Sequence, residues 1–345
     1  MRIERSLRVL VTVVASLGMV ATVATTASAN RLAHGSFCSS TARLLSWACS
    51  AETKDDLLEG KAICLNIEDD QERAECGREL WVELVEAKDL CEEQYEARQE
   101  LCEVFGEGRY DPDFDPENFE DDFSNLGTTN SHFPLPIGGE WHYEAEDEEQ
   151  VVKVLDATKN VEDVTCIVVN DFVRGEESEE DTDDWFAQAK NGDVWYCGEE
   201  SKDFEIFEGD VPQVPELVSN DGSFKHGVDG AKAGILFLGT PVVGATYRQE
   251  VALGDAEDVA TVVSTTYGYG EDEELDELVP EALAEQYCPD DDCVVTKDFT
   301  PLEPGEFEYK YYSPGVGVFL ETKPEDEEIN VLVGCNVDPK CSPLP

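Results

Sequence analysis

A run of alternating acidic residues near position 115 has the spacing of a calcium-binding loop. Its carboxylates occupy positions 1, 3, 5, 7 and 12 of a twelve-residue segment: Asp111, Asp113, Asp115, Glu117 and Asp122. Calcium takes about six to eight oxygen ligands, and alternate side chains of an extended turn can supply several of them. Against this, Pro116 stands where an EF-hand loop has glycine, and no pair of apolar helices flanks the segment. A calcium site and a solvated acidic spacer are the two interpretations.

Arg248 is the second candidate, because it and Arg174 are the only arginines after residue 109. In a strand predicted over 247–251, alternation places Arg248 on one face with Thr246 and Glu250, where it can neutralise carboxylates inside or at the rim of the sheet. A structural ion pair is the first interpretation of this arginine. A binding site for an anionic ligand is the second.

The sequence contains no recognised catalytic or cofactor-binding motif. It lacks Gly-x-Ser-x-Gly, His-Glu-x-x-His and a phosphate-binding glycine loop. None of the histidines has metal or catalytic spacing: His34, His132, His142 and His226. The first functional hypothesis is therefore an exported, non-enzymatic binding or interaction protein, modulated by calcium if the acidic loop binds it. The alternative is a secreted hydrolase, which convergent carboxylates of perturbed pKa in a deep cleft would favour.

Six cysteines in the first third of the chain predict the element that precedes these residues. They are placed symmetrically about residue 70, so that three pairs can form: Cys38 with Cys102, Cys49 with Cys91, and Cys64 with Cys76. The intervening sequence has helical periodicity, and packed helices bring facing Cα atoms near the ~5.5 Å that a disulfide prefers. We therefore expect an antiparallel helical hairpin over 30–106, linked by three disulfides. It is either a rigid spacer or docking surface, or simply a thin subdomain that disulfides must stabilise.

The second helix is predicted from about Gln71 to Phe105, with Asp69 as its N-cap and Glu72 at the N3 position of a capping box. The first helix is either continuous or divided near Ser50 and Thr53, because both residues can cap a new helix. The disulfide pairs are the same in either case.

The N-terminus predicts export. Arg2, Arg5 and Arg8 precede an apolar run and a small-residue end at Ala29, which is typical of a signal peptide over 1–29. We expect a secreted or periplasmic protein without a membrane span, and twelve cysteines in such a chain favour disulfides.

The net charge is extreme. Without residues 1–29 the chain has 21 basic and 78 acidic residues, a formal charge of −57. Such a charge repels nucleic acid and anionic membranes and attracts cations. Adaptation to a saline exterior is the first interpretation, and binding of divalent cations by some of the acids is the second.

Beyond the hairpin, proline, glycine and acidic residues predict a connector over 107–131. Residues 132–345 contain many short alternating runs separated by turns, with Asn191-Gly192 as a type I′ hairpin signal and one helical insertion near 280–287. The expected fold class is α+β: the helical hairpin followed by a large, curved, mostly antiparallel sheet or barrel.

Several segments of the second half resemble a group of uncharacterised exported bacterial proteins that have a cysteine-bearing helical segment and a β-rich domain. The similar segments are 133–141, 184–196, 227–232, 247–250, 296–303 and 311–317. The resemblance implies the β-rich fold but no activity, ligand or site residue. Cys197 and the insertion ending in Cys288 depart from the pattern, which implies an added disulfide between these two cysteines.

Six cysteines after residue 160 allow about 15 connectivities. Besides Cys197 with Cys288, the pairs we expect are Cys166 with Cys293 and, as a local loop in the tail, Cys335 with Cys341.

Overall fold

The structure is a computed structural model and describes residues 36–345. The predicted signal peptide and His34 lie outside the described residues. Helices α1 (Phe37–Leu65) and α2 (Asp70–Phe105) form the expected antiparallel hairpin. All three predicted disulfides are confirmed, with Cα–Cα distances of 5.6 Å for Cys38–Cys102, 5.8 Å for Cys49–Cys91 and 5.6 Å for Cys64–Cys76.

Local side-chain hydrogen bonds explain the helix boundaries. The Asp69 carboxylate accepts from the backbone N–H groups of Gln71 and Glu72 at 2.7 and 3.0 Å, as an N-cap should. Helix α1 is continuous, because Ser50 and Thr53 donate their hydroxyls to the carbonyls one turn earlier, each at 2.9 Å, and cap no new helix.

The second half is a large antiparallel sheet of 15 strands that is nearly closed into a barrel. The strands are β1 Glu140–Glu144, β2 Glu149–Val161, β3 Val164–Arg174, β4 Ser178–Gln188, β5 Val194–Glu200, β6 Asp203–Glu205, β7 Glu216–Ser219, β8 Lys232–Phe237, β9 Thr246–Arg248, β10 Glu250–Val251, β11 Val259–Tyr267, β12 Cys293–Phe299, β13 Glu308–Ser313, β14 Gly317–Lys323 and β15 Glu328–Cys335. Helix α3 (Glu281–Tyr287) is the predicted insertion before β12.

The two ends of the sheet approach each other at β9 and β10, where the barrel is nearly closed. The strand order is β10-β8-β5-β4-β3-β2-β1-β15-β14-β13-β12-β11-β9, and only Gln249 separates the two strands at its ends. Strands β6 and β7 extend from the edge of β4 outside this order. A sheet that returns to itself has few unpaired edges, and its inward side chains face one interior.

Apolar side chains are buried on both faces of the sheet. The main core includes Phe237, whose ring lies 4.5 Å from that of the cavity-lining Tyr312, and Phe319, whose ring lies 5.0 Å from that of Tyr287 in α3. A smaller cluster lies on the outer face of β3, β4 and β5, where Phe119 of the 107–131 connector packs 5.7 Å from the ring of Trp195. The predicted connector therefore lies against the outside of the barrel.

The structure corrects two predicted disulfides. Cys166 pairs with Cys197 rather than Cys293, and Cys288 pairs with Cys293 rather than Cys197. Strands β3 and β5 flank β4, which brings Cys166 and Cys197 to a Cα–Cα distance of 6.7 Å, while Cys288 and Cys293 close a short loop between α3 and β12. The predicted Cys335–Cys341 bond is confirmed.

Among residues 36–345, no helix is long and apolar enough to cross a membrane. The six disulfides belong to a chain that folds in an oxidising compartment.

Candidate functional site

The barrel interior contains a cavity of about 410 Å³ that opens at one end. Inward side chains of β4 show its direction: Glu180 is exposed, whereas Asp184 and Phe186 are buried. The adjacent strand β3 shows the same direction, since Asp171 is half-buried and Val169 is buried. The cavity thus runs from a polar mouth to an apolar floor.

Acidic side chains dominate the mouth. Seven carboxylates line the cavity: Asp171, Glu180, Asp184, Glu199, Glu250, Asp258 and Glu321. Lys310 is the one lysine or arginine among the described lining residues. Six aromatic residues also line it: Phe133, Trp141, Tyr143, Phe186, Tyr196 and Tyr312. The combination is an acidic ring above aromatic and aliphatic walls.

A β-bulge places two of the interacting groups on the interior. Strand β5 pairs Tyr196 with Phe186 but Gly198 with Trp185, so Cys197 is an extra residue in the ladder. Strict alternation would put Tyr196 and Glu199 on opposite faces. The bulge shifts the pattern by one residue, and Glu199 joins Tyr196 inside the barrel.

A second bulge corrects the prediction that Arg248 and Glu250 share a face. The N–H groups of Gln249 and Glu250 both point to the carbonyl of Asp258, at 2.8 and 3.3 Å, which marks an extra residue between β9 and β10. Glu250 therefore lines the interior cavity, whereas Arg248 lines a different cavity outside the barrel. The Glu250 carboxylate is half-buried in the cavity wall and has no hydrogen bond or ion pair with any described residue.

Asp184, Tyr196 and Glu199 form a hydrogen-bonded group at the inner edge of the acidic ring. The Tyr196 hydroxyl contacts both carboxylates. Burial and the neighbouring charge of Glu199 raise the pKa of Asp184 well above its usual range, and burial raises the pKa of Glu199 to about 6. Charging both of these adjacent carboxyls has a high free-energy cost. The pair therefore retains a proton near neutral pH.

Other acids of the ring are shifted in the same direction. Burial raises the pKa of Asp171 to about 7, even though Gln150 donates hydrogen bonds to it at 2.8 and 3.0 Å. Burial and the charge of Asp258 raise the pKa of Glu250 well above the ordinary value. Beside the mouth, burial raises the pKa of Asp298 to about 6. The mouth thus holds excess negative potential that protons partly neutralise.

Lys310 shows that this environment stabilises an ammonium group. Burial would lower the pKa of Lys310, but the charges of Glu308, Glu321 and Asp298 raise it well above its ordinary value. Its Nζ lies 2.9 Å from Glu308 and 3.5 Å from Glu321. This one cation lies beside Glu308 and Glu321. On the other side of the ring, no lysine or arginine of the described chain lies within ion-pair distance of Asp184, Glu199 or Glu250.

The predicted calcium ligands are not gathered at one point in the described structure. Asp111 pairs with Lys232, Asp115 accepts from the N–H of Glu117 at 2.9 Å, and Asp122 accepts from the N–H of Ser124 at 3.1 Å. All five predicted carboxylates are exposed: Asp111, Asp113, Asp115, Glu117 and Asp122. No group of three or more histidine, cysteine or acidic side chains within residues 36–345 could hold a metal ion. The calcium loop stays a prediction from the sequence.

The ion pair predicted for Arg248 is wrong for the described part of the chain, in which no carboxylate lies within ion-pair distance of its guanidinium. The group instead stacks over the rings of Phe105 and Tyr110, at 4.5 and 5.9 Å from their centroids. The nearby carboxylate of Glu257 is bound by Arg98 at 2.7 Å. The three described histidines, His132, His142 and His226, do not line the barrel cavity.

The acids of the cavity were not predicted as a site from the sequence. A usable signal was present in β4, where Asp184 alternates with Thr182 and Phe186 and so places a carboxylate on the apolar face of a strand. No comparable signal marks Glu199 or Glu250, because bulges decide which way they face.

Comparison with protein-family models, with curated proteins and with solved structures found no match to this chain. The fold and site define a disulfide-linked helical hairpin joined to an antiparallel barrel with an acidic mouth. The resemblance to exported bacterial proteins stays a prediction.

Proposed function

We propose that the protein is an exported, non-enzymatic binding protein, secreted or periplasmic, whose barrel takes a small organic cation. The single observation that carries the proposal is the ring of seven carboxylates with one lysine above an aromatic floor. An amine bound there would place its ammonium beside Glu250, Glu199 and Asp184. Its apolar part would contact the walls near Phe186.

The arrangement favours an organic amine over a metal ion. The carboxylates are distributed around the mouth, and no three described acids gather as metal ligands. A metal ion needs about six oxygens at one point, whereas an ammonium needs about three acceptors and tolerates apolar neighbours of its carbon stem. The cavity of about 410 Å³ is within the usual size range for small ligands.

Calorimetric titration with hexylamine tests this function, with hexanol and hexanoate as neutral and anionic probes of the same length. In about 1 M sodium chloride, which screens the general surface charge, we expect hexylamine to bind in the barrel cavity, hexanol to give no binding heat, and any heat from hexanoate to be unchanged by Glu250→Gln. Glu250→Gln removes a carboxylate that faces the cavity and should weaken hexylamine binding about tenfold. Binding should also weaken as pH falls through about 7 to 5, because Asp171 and Glu199 take up protons.

Glu144→Gln is the control, since Glu144 is exposed on β1 and does not line the cavity. It should leave hexylamine affinity unchanged. If wild-type protein does not bind hexylamine, or if both variants weaken binding equally, the amine-binding proposal is wrong.

A secreted hydrolase is the second candidate, and the contact of Asp184 and Glu199 through Tyr196 favours it. A carboxyl that keeps its proton near neutral pH can act as a general acid while another serves as base or nucleophile. Turnover of nitrophenyl glycosides or esters by wild-type protein, lost in Glu199→Gln but kept in Glu144→Gln, would replace the binding function with this one.

A further inference from the structure

A second cavity, of about 330 Å³, lies between the helical hairpin and the outside of the barrel. We call it the interface cavity. Four cationic side chains line it: Arg98 of α2, Arg109 of the connector, and Lys232 and Arg248 of the barrel. Glu257 is the one acid among its described lining residues. Counting Asp111, which pairs with Lys232 at the rim, the cations still exceed the acids by two, in a chain that has 78 acids after residue 29.

The contacts that position these cations leave some of their N–H donors without an acceptor. Arg98 is 6% exposed and holds Glu257 through Nε at 3.0 Å and Nη2 at 2.7 Å. Its Nη1 is buried and has no hydrogen-bond partner among the described residues. A buried N–H donor without an acceptor lowers the stability of the folded protein. A bound anion would either accept a hydrogen bond from this donor or offset the positive charge around it.

Aromatic rings, not carboxylates, support two of the other cations. Arg109 lies 4.0 Å above the centroid of Phe37, and Arg248 lies 4.5 Å above that of Phe105. A guanidinium stacked on a ring keeps its in-plane N–H donors available. Both arginines can therefore accept an incoming anion without giving up an ion pair with a described residue.

The remaining walls are apolar and include Leu45, Leu101, Val251 and Leu253. We infer that the interface cavity binds an organic carboxylate, with the anion among Arg248, Lys232 and Arg98 and its apolar body against these leucines and the valine. A monoanion fits such walls better than phosphate, because transferring a second charge from water would add a large desolvation cost. This site is separate from the barrel cavity and does not depend on the amine-binding function.

Calorimetric titration with hexanoate, run in about 1 M sodium chloride with hexanol and inorganic phosphate in parallel, tests the site. We expect hexanoate to bind wild-type protein at least tenfold more tightly than hexanol or phosphate. Arg248→Met keeps an apolar stem against Phe105 but removes the charge, and should weaken hexanoate binding about tenfold. Glu250→Gln in the barrel cavity should have no effect on hexanoate.

Arg174→Met is the matched control, because Arg174 is the other arginine of the barrel and does not line the interface cavity. It should bind hexanoate as wild type does. If Arg248→Met does not fold, Lys232→Met on the rim of the cavity serves as a second variant. We expect it to weaken hexanoate binding about threefold. No binding of hexanoate to wild type, equal binding of phosphate, or unchanged affinity in both Arg248→Met and Lys232→Met would overturn the inference.

Discussion

At the scale of the residue, the unusual feature is how many acids are placed where burial opposes their charge. Asp171, Glu199 and Asp298 have pKa values raised to about 7, 6 and 6. A carboxyl whose pKa is higher in the folded than in the unfolded chain stabilises the folded state below its unfolded pKa. That contribution is lost as pH rises through the folded pKa. These three acids therefore make the fold less stable as pH rises from about 4 towards 8.

Asp171→Asn tests this effect, because asparagine mimics the neutral acid at every pH. In wild-type protein, we expect the free energy of unfolding to fall between about pH 5 and pH 8. The slope should be smaller in Asp171→Asn, and the variant should be the more stable protein at the upper end of this range. Urea unfolding at constant high salt measures both.

The control for this experiment is Asp156→Asn, a change of the same kind at an exposed position of β2. Its pH dependence should follow that of wild type. A wild-type stability that rises steadily with pH across the same range would show that the cavity acids are not shifted as described.

At the scale of the element, two β-bulges decide the chemistry of the cavity. Gly198 belongs to the first, with φ of 139°. A Cβ at this position would lie 2.3 Å from the carbonyl oxygen of Phe224 and 2.6 Å from the Cα of Lys225, because the following loop crosses directly over it. The bulge that turns Glu199 inward therefore requires glycine.

Gly198→Ala should reduce the free energy of unfolding by at least about 2 kcal/mol and weaken hexylamine binding by displacing Glu199. Gly209→Ala is a matched control, since Gly209 also has a positive φ of 95° but a Cβ there would meet nothing within 4 Å. Chemical denaturation measures the free energy of unfolding of both variants. Because only Gly198→Ala adds a clash with Phe224 and Lys225, the difference between the two losses gives the cost of that clash beyond backbone strain. Equal losses in both variants would contradict the close crossing at Phe224.

The hairpin is an element that disulfides must support. Its buried residues are few, and side chains such as Trp47 and Trp81 are 63% and 64% exposed. Two helices alone cannot bury enough apolar surface to be stable. The three disulfides supply that stability by restricting the unfolded chain.

At the scale of the whole molecule, the charge of −57 expected for the chain without residues 1–29 acts against compactness. Salt should relieve this repulsion, since the Debye length falls to about 3 Å at 1 M. We expect the melting temperature to rise by several degrees between about 0.1 and 1 M sodium chloride, and to rise equally in potassium chloride.

Sucrose at matched osmolality is the control, because it raises stability through exclusion without screening charge. A melting temperature that rises as much in sucrose as in salt would contradict the proposal that acidity adapts this protein to a saline exterior.

The sequence by itself determined the hairpin, because disulfide pairing there depends only on local helix geometry and symmetric spacing. Alternation and turn residues likewise predicted an antiparallel barrel-like sheet, and the short spacing predicted Cys335–Cys341. The cavity and the Cys166–Cys197 disulfide depended on the tertiary structure, since strand order brings Cys166 to Cys197. Cys288 and Cys293 are only five residues apart, a local spacing like that of Cys335 and Cys341. Bulges, which shift alternation by one residue, turn Glu199 and Glu250 inward and leave Arg248 outside. Those choices depend on contacts between strands far apart in sequence, which periodicity along one strand does not encode.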